Sequence, residues 1–564
     1  MEHQMVKDKP WLASYDDGVP HNIDYEDICL PHVLSRTAQK FPERIALIFA
    51  GKSITYHELE SMVNRFSSCL YSLGIQKGDV IAILLPNLIP TVVAYYAALR
   101  IGAIVVMNNP LYTDYELKQQ FCDSEVKLLV TLDLLANRMI DMREKTSIKH
   151  IIYTTVGDYL PFPKNILFKV IGKKKKLAVT VKEASHVYKW KDCLTEDNGH
   201  IVLPEIDVSD VAMYQYTGGT TGISKGVVLT HGNLSRQIQQ FTKWVPHWVR
   251  HHETMMGALP FFHMFGLSTS MNLSIYAGWT SLLIPKPDTH HLLQAITKYR
   301  PTLATLVPTM IIGMMNDKSF SEMDLTCFRE IVSGGAPIPV EVIRNFESNA
   351  GASIIEGYGL TEASPVTHVN PAGGKPRKPG SVGLPFPDTD CRIVDLEKGE
   401  TDVPVGELGE LIIRGPQVMT GYLNMSDETK NALRDGWLYT GDIAKMDEDG
   451  YFYIVDRKKD LIISGGYNVY PRSVDEVFYS HPKVKEACTI GIPDAKRGEK
   501  VKVLVVLKEG EEVTEEELIE FCKIKLARYK LPSEIVFRND LPKSNIGKIL
   551  RKDIRKEELA KREQ

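Results

Sequence analysis

The sequence lacks the cysteine and histidine spacings that typify disulfide-stapled and zinc-holding proteins. Its eight cysteines are scattered through 564 residues without a C-x-x-C pair, and no HExxH motif occurs among its sixteen histidines. Zinc sites and disulfide frameworks both depend on such spacings. We therefore expect buried thiols in a reducing compartment and no zinc held by the protein.

A large excess of charge of one sign is also missing. The chain has 67 basic and 71 acidic residues, which gives a formal net charge of −4. A balance of this kind provides no global field for a polyanion, so nucleic acid is not an expected partner. Residues 1–11 mix charges without the apolar centre of a secretion signal, and we expect a cytoplasmic protein.

No apolar run is long enough, without interruption, to cross a membrane. The longest candidate, residues 80–107, is broken by two prolines, an asparagine and an arginine. It divides into a strand at 80–85, a turn at 86–90, a helix at 91–102 and a strand at 103–107. This β-α-β unit predicts a doubly wound parallel sheet.

The remaining sequence predicts an α/β fold with more than one unit. Alternating strands and helices recur around 127–142 and 257–308, whereas 378–424 is rich in glycine, proline and short runs typical of β-hairpins. The composition changes again after Asp456. We predict a large N-terminal body of doubly wound sheets with a β-rich subdomain over 1–456, and a small α+β C-terminal domain over 457–564.

The most informative segment is YTGGTTGISKGV at residues 216–227. Its glycines let several backbone amides point at one anion, and Lys225 supplies positive charge. Ser224, rather than glycine, precedes the lysine, which argues against a kinase or motor ATPase loop. A solvated Gly/Thr turn is the alternative. The candidate phosphate-binding residues are Thr217, Gly218, Gly219, Thr220, Thr221, Gly222 and Lys225.

Six further motifs follow in the chain. They are PFFH (260–263), SGGAP (333–337), GYGLTE (357–362), YTGD (439–442), VDRKKD (455–460) and LPKSNIGKILRK (541–552). Together with the Gly/Thr loop, they resemble the motifs of the AMP-forming adenylating superfamily of acyl-CoA synthetases, luciferases and peptide-synthetase adenylation domains. The likeness covers about residues 27–551, and it looks closest to the bacterial long-chain fatty-acid CoA ligases.

The resemblance implies a reaction in two steps. A carboxylate is a poor acyl donor, so a fatty acid would first attack the α-phosphate of ATP to form an acyl adenylate and pyrophosphate. The thiol of CoA would then displace AMP. The implied substrates are ATP, fatty acid and CoA, and the implied cofactor is Mg²⁺. The alternatives are a ligase for medium-chain or aryl acids, and an acyl-AMP ligase that loads a carrier protein.

The same resemblance assigns nucleotide contacts. Tyr358 would lie along adenine, Thr361 would meet the α-phosphate and Glu362 would hold magnesium, in keeping with the few carboxylates that Mg²⁺ takes on a triphosphate. Asp442 would accept the ribose hydroxyls and Arg457 would complete that contact. Further ATP-binding candidates are Gly335, Ala336, Gly357 and Gly359.

The acyl group and the small domain have candidates as well. Lys548 resembles the lysine that bridges the carboxylate and the α-phosphate, and Ser544 stands where the family usually has threonine. The resemblance implies a mobile C-terminal domain that turns about Lys459, so that CoA can pass Gly466. The acyl-binding candidates are His263, Phe265, Gly266 and Gly334; a core position without substrate contact is the alternative for His263.

Residues 161–176, PFPKNILFKVIGKKKK, interrupt the α/β pattern with apolar residues and four consecutive lysines. One interpretation is a solvated insertion. The other is a segment that contacts anionic lipid at the inner face of the cell membrane. Relatives also suggest a homodimer.

Two other classes of function stay open from sequence alone. A luciferase-like oxidation would use the same scaffold, and oxygen uptake would reveal it. A nucleotide-binding regulator or membrane scaffold with a decayed site is the second, although Lys225, Glu362, Asp442, Arg457 and Lys548 are all present.

Overall fold

The computed structural model describes eight stretches of the chain. They are residues 9–172, 174–175, 177–195, 202–217, 224–248, 253–494, 496–544 and 547–561. Within them the helices are α1 (Leu30–Lys40), α2 (Tyr56–Ser72), α3 (Ile89–Arg100), α4 (Asp114–Asp123), α5 (Asp133–Arg143), α6 (Lys164–Ile171), α7 (Trp190–Thr195), α8 (His231–Trp244), α9 (Met264–Gly266), α10 (Leu273–Ala277), α11 (Thr289–Tyr299), α12 (Pro308–Met315), α13 (Val340–Ala350), α14 (Ser426–Ala432), α15 (Pro471–Tyr479), α16 (Glu515–Lys525) and α17 (Arg551–Ala560).

The strands of the same stretches fall into four sheets. They are β1 (Ile45–Phe49), β2 (Lys52–Thr55), β3 (Val80–Leu84), β4 (Ile104–Met107), β5 (Val126–Leu132), β6 (His150–Thr154), β7 (Val187–Lys189), β8 (Val211–Thr217), β9 (Lys225–Thr230), β10 (Thr254–Gly257), β11 (Thr280–Leu283), β12 (Leu303–Leu306), β13 (Glu330–Ser333), β14 (Ser353–Gly359), β15 (Val366–Val369), β16 (Leu384–Pro385), β17 (Asp390–Val394), β18 (Gly409–Arg414), β19 (Gly421–Tyr422), β20 (Leu433–Arg434), β21 (Trp437–Met446), β22 (Phe452–Arg457), β23 (Ile462–Ser464), β24 (Tyr467–Val469), β25 (Val484–Asp494), β26 (Gly498–Leu507) and β27 (Glu534–Phe537).

The predicted β-α-β unit is present. Val80–Leu84 and Ile104–Met107 are neighbouring parallel strands, and α3 connects them. Every residue of α3 is buried, which explains why the helix is apolar on all sides. This unit lies in a sheet with the strand order β19-β9-β8-β4-β3-β5-β6-β7. The doubly wound α/β body is thereby confirmed.

A second sheet of the body has the order β16-β15-β14-β13-β12-β10-β11-β1-β2. Strands β11, β10, β12, β13 and β14 pair in parallel, so their carboxyl ends lie along one edge. The motifs PFFH, SGGAP and GYGLTE follow or end three of these strands. Functional groups gather at the carboxyl ends of strands in such sheets.

The β-rich part differs in one respect from the hairpins predicted by the sequence. Strand β18 pairs with β17 and β21, and β22 pairs with β21, which forms an antiparallel sheet. Gly421–Tyr422 leaves this sheet and pairs with Val227–Val228 of β9. The strand therefore reaches the foot of the Gly/Thr loop instead of folding back on its own neighbours.

The C-terminal region has its own sheet and cores. The strand order is β24-β23-β26-β25, with β27 beside β26. Two hydrophobic clusters draw their buried residues from positions 462–554. Helix α16 begins after Thr514, whose hydroxyl accepts the Glu517 amide. The domain division at 456/457 stays a prediction.

The thiols of this fold are nearly all inside it. Cys29, Cys69, Cys193, Cys391, Cys488 and Cys522 are buried, Cys327 is partly exposed and Cys122 is exposed; all are free. Burial raises the pKa of several of these thiols, to about 11 for Cys29 and Cys522 and about 12 for Cys488.

Candidate active site

Asp442 lies at the centre of the predicted ribose site. It stands opposite Arg457 in the register of β21 and β22, and the Arg457 Nε lies 2.6 Å from its Oδ1. The Tyr358 hydroxyl donates to Oδ2 at 2.5 Å. The carboxylate is buried. Two donors from different strands thus fix the orientation of Asp442, and its charge raises the pKa of Arg457.

Tyr358 and Arg457 are largely surrounded by protein, yet part of each side chain is exposed to solvent. Both side chains are partly exposed. Burial, followed by the Asp442 charge, nevertheless raises the pKa of Tyr358 well above its ordinary value. Protein therefore surrounds these two groups on most sides and solvent reaches them from one, and we call this partly enclosed space the cleft.

Lys548 enters the same cleft from the C-terminal region. Its pKa is lowered to about 8, first by burial and then by the charge of Arg457, while Asp442 acts in the opposite direction. Its side chain still faces open space. Lys548 in turn contributes, after burial, to lowering the pKa of His263 to about 4. The charge of Lys548 therefore acts both in the ribose cluster and at the predicted acyl site.

The turn that carries Lys548 packs against the body. Ser544 Oγ accepts the Lys548 amide at 3.1 Å, and the Gly547 amide donates to the Ser544 carbonyl. Gly547 has a φ of +76°, and a Cβ there would lie 2.1 Å from Thr309 Oγ1 at the start of α12. Glycine is required at this position both by the left-handed backbone and by the close approach.

The four predicted acyl residues form one cluster. His263 caps α9, and its Nδ1 accepts the Phe265 amide at 3.3 Å. A Cβ at Gly334 would lie 3.0 Å from the Phe265 ring, and one at Gly266 would lie 2.6 Å from the Pro260 carbonyl. The two glycines therefore let the aromatic ring and the PFFH turn approach their neighbours closely.

Glu362 and Lys225 meet around Tyr422, which sequence reasoning missed. The Tyr422 hydroxyl donates to Glu362 Oε1 at 2.9 Å, and the Lys225 ammonium lies 5.0 Å from the centre of the Tyr422 ring. Lys225 also forms an ion pair with Glu428 of α14. The signal for Tyr422 was its place beside glycine in MTGYL, but a two-residue strand has no periodicity to reveal its partner.

The other predicted residues are distributed as follows. Thr217 is paired with Lys225 across β8 and β9, whereas Gly218, Gly219, Thr220, Thr221 and Gly222 lie outside the described residues. Gly335 and Ala336 follow β13, Gly357 and Gly359 lie on β14, and Thr361 begins the short turn that holds Glu362.

Lys459 and Gly466 differ in their relation to the cleft. Burial, followed by the charge of Arg457, lowers the pKa of Lys459. Gly466 is in the turn between β23 and β24, where a Cβ would have no heavy atom of the described residues within 4 Å. The structure therefore brings Lys548 into the cleft and leaves Gly466 on the surface.

Within residues 161–176, Lys164–Ile171 form the short helix α6, and the described part of the segment has exposed apolar side chains. Phe162 is 78% exposed, Ile166 53% and Leu167 57%. Lys173 and Lys176 lie outside the described residues. No helix in the described parts of the chain combines the length and apolarity needed to span a membrane.

Comparison with known proteins identifies the family. Residues 34–423 match the AMP-binding enzyme family, and residues 473–548 match the AMP-binding enzyme C-terminal domain. Over 556 residues the chain is 44% identical to a long-chain-fatty-acid–CoA ligase of Bacillus subtilis (strain 168), which covers 98% of this chain and 99% of that protein.

Two solved structures are similar over most of the chain. ATP bound MatB from Rhodopseudomonas palustris has a TM-score of 0.79 at 28% identity and covers 94% of this chain and 99% of its own. The O-succinylbenzoate coenzyme A synthetase (MenE) of Bacillus subtilis, in complex with ATP and magnesium ion, has a TM-score of 0.74 at 28% identity, with coverages of 92% and 98%. By its motifs, its fold and these matches, the chain belongs to the AMP-binding enzyme family.

Proposed function

We propose that this chain is a long-chain fatty-acid CoA ligase. It joins a fatty acid to ATP with release of pyrophosphate, and then transfers the acyl group from AMP to the thiol of CoA. The observation that carries the proposal is that Lys548 lies near enough for charge interaction with both the Asp442–Arg457 pair and His263. The reacting carboxylate and phosphate would meet at this point.

In the first step, Lys548 reduces the repulsion between the two anions. The carboxylate and the α-phosphate both carry negative charge, and an ammonium beside both stabilises the transition state in which they join. Asp442, held by Tyr358 and Arg457, accepts the ribose hydroxyls and so fixes the nucleotide. Lys225 supplies charge to the triphosphate at the foot of the Gly/Thr loop.

Magnesium fits the residues around Glu362. Its Oε1 accepts the Tyr422 hydroxyl, and its Oε2 makes no hydrogen bond or ion pair with a described residue. Among the described residues no group of three or more His, Cys, Asp or Glu could hold a metal ion. A single carboxylate with the phosphates of ATP is a usual set of Mg²⁺ ligands. When bound, the ion would neutralise triphosphate charge.

The second step needs another arrangement of the same cleft. We infer that Lys548 would obstruct the CoA thiol, which must reach the same carbonyl, while the predicted CoA-contacting Gly466 lies at the surface. We propose that the C-terminal domain turns about Lys459 between the steps, so that Lys548 leaves and Gly466 approaches. The conformation described here is then the one that forms the adenylate.

The acyl class is proposed from the relatives and from the site. Phe265 and Gly334 form an apolar contact next to His263, and the 44%-identical relative is a long-chain-fatty-acid–CoA ligase. The test is to incubate the purified protein with Mg²⁺, ATP and palmitate, with and without CoA, and to identify products by mass spectrometry. Palmitoyl-CoA, AMP and pyrophosphate should form only with all components.

Other products would change the proposal. Acyl-AMP that CoA cannot discharge would indicate a ligase that loads a carrier protein, and turnover of benzoate or octanoate alone would indicate an aryl or medium-chain ligase. Lys548→Ala should lower adenylate formation by about 10²–10³, as for other single stabilising groups. It should still convert supplied palmitoyl-AMP and CoA to palmitoyl-CoA; equal loss of both steps would contradict the two arrangements.

We also propose that the enzyme works in the cytoplasm, as a homodimer, and that residues 161–176 contact anionic lipid. Three apolar side chains of this segment are more than half exposed, beside Lys164, Lys174 and Lys175. Replacing Phe162, Ile166 and Leu167 with serine should reduce co-sedimentation with anionic vesicles. Leu111→Ser, at a site that is 79% exposed elsewhere, is the control; equal binding by both variants would refute the lipid contact.

A further inference from the structure

Asp456 is the last residue but one of β22, the last strand before the predicted hinge, and it is nearly sealed from solvent. Its side chain is 2% exposed. Oδ1 accepts the Arg457 amide at 2.8 Å, and Oδ2 accepts the Arg472 amide at 2.7 Å, at the start of α15. A carboxylate of the body thus caps a helix of the C-terminal domain.

Arg551 lies against the same carboxylate from another part of the small domain. It is three residues beyond Lys548 and begins α17. Its Nη2 donates to Asp475 at 2.6 Å, while its Nη1 is 3.5 Å from Asp456 Oδ1 and 3.5 Å from Asp460 Oδ2. One guanidinium nitrogen therefore faces two aspartates at equal distance.

These two aspartates lie on opposite sides of Lys459. Asp456 is in β22, which pairs with β21 of the body, and Asp460 is the first residue after the predicted pivot. A rotation about Lys459 carries Asp460, Asp475 and Arg551 together and leaves Asp456 behind. The Asp460 contact can survive the rotation, whereas the Asp456 contact cannot.

Arg472 makes a second connection across the same boundary. Its Nη1 donates to the carbonyl of Ile454, also in β22, and its Nε donates to Glu476 at 3.0 Å. Its side chain is mostly buried. Two arginines of the small domain therefore hold one strand end of the body, and one of them is close in sequence to Lys548.

We propose that Asp456 is a positioning residue for the adenylate-forming step. Together with the Ile454 carbonyl, it receives Arg551 and Arg472 and so fixes the C-terminal domain in the orientation that brings Lys548 into the cleft. The inference rests on the proposed two-step function. It adds a contact that must break when the domain turns for the thioester-forming step.

The test compares Asp456→Asn with Asp460→Asn, because both carboxylates face the same nitrogen of Arg551. Each half-reaction is measured by itself: adenylate formation from ATP and palmitate without CoA, and thioester formation from supplied palmitoyl-AMP and CoA. Asp456→Asn should slow the first about tenfold, the size of one charge-assisted hydrogen bond, and change the second by less than about twofold. Asp460→Asn should leave the ratio of the two rates within about twofold of wild type.

Arg472→Gln provides a second test in which Asp456, the neighbour of Arg457 in the chain, is unchanged. It removes the donor to the Ile454 carbonyl and should lower the ratio of adenylate formation to thioester formation. It therefore tests the proposal even if Asp456→Asn does not fold. An unchanged ratio in the folded variants, or the same fall in Asp460→Asn, would overturn the proposal. Wild-type protein that forms no acyl-AMP would instead refute the proposed function, so the two failures are distinguishable.

Discussion

Raising the pH from 7 to 9 should slow adenylate formation about tenfold. Lys548 must be charged to bring the carboxylate and the α-phosphate together. Its pKa is lowered to about 8, first by burial and then by Arg457. A lysine with that pKa is about 90% charged at pH 7 and about 10% charged at pH 9, whereas an unperturbed lysine stays above about 95%.

The neighbours of Lys548 support this assignment of the pH effect. The pKa of His263 is lowered to about 4 by burial and by Lys548, so His263 is neutral across the range. The charged groups that act on Lys548 are Arg457, Asp442, Arg551 and Lys459. The pKa of Lys459 is lowered as well, so Lys459→Arg serves as a control in which position 459 stays charged at every pH used. This variant should still lose rate of adenylate formation between pH 7 and 9.

The assay is pyrophosphate release from ATP and palmitate without CoA, measured as kcat/KM so that it reports the free enzyme. Lys548→Arg, whose guanidinium stays charged, should be slower but should not lose rate between pH 7 and 9. Thioester formation from supplied palmitoyl-AMP should not fall over this range, since Lys548 is absent from the cleft in that step. A flat wild-type profile, or an unchanged fall in Lys548→Arg, would refute the reasoning.

Three further predictions concern other contacts. Tyr358→Phe removes the 2.5 Å hydrogen bond to Asp442 and should raise the KM for ATP about tenfold, because hydrogen bonds to charged groups contribute about 1.5–3 kcal/mol; an unchanged KM in steady-state kinetics would contradict this. Glu356 is buried on β14, and its Oε2 accepts the Gly380 amide at 2.7 Å. Glu356→Gln should raise the melting temperature more at pH 8 than at pH 5. Burial raises the pKa of Glu356 from 4.5 to about 7, so the stability that its neutral form contributes is present below about pH 4.5 and is lost as the pH rises through about 7; equal shifts at both pH values in calorimetry would show the reasoning to be wrong. Gly547→Ala should slow adenylate formation more than thioester formation, because its Cβ would lie 2.1 Å from Thr309 Oγ1. Adding Thr309→Ala to this variant should restore part of the rate of adenylate formation. Equal slowing of the two half-reactions, each assayed by itself, would contradict the prediction.

Much of the fold and the family could be predicted because the signals are local. Apolar runs separated by prolines and glycines give the β-α-β unit at 80–107, and the motifs occur in the family order. Both the α/β fold and membership among AMP-forming ligases are confirmed by the matches at up to 44% identity. The roles of individual site residues and the division at 456/457 stay predictions.

The rest depends on contacts between distant parts of the chain. Tyr422 reaches Glu362 because a strand of two residues joins β9 nearly 200 positions earlier, and nothing in that dipeptide predicts its partner. The meeting of Asp456 with Arg551 likewise depends on how two units are oriented. An aspartate before an arginine resembles any turn residue until the guanidinium facing it is known.

The distribution of thiols makes the proposed rotation accessible to spectroscopy. Cys122 on α4 is exposed, whereas six other cysteines are buried and burial raises the pKa of several of them. Since the thiolate is the reactive form, a maleimide dye at neutral pH should label Cys122 first. One cysteine introduced beside the surface turn at Gly466 would then complete a donor–acceptor pair, so energy transfer could follow the small domain through each turnover without removing any native cysteine.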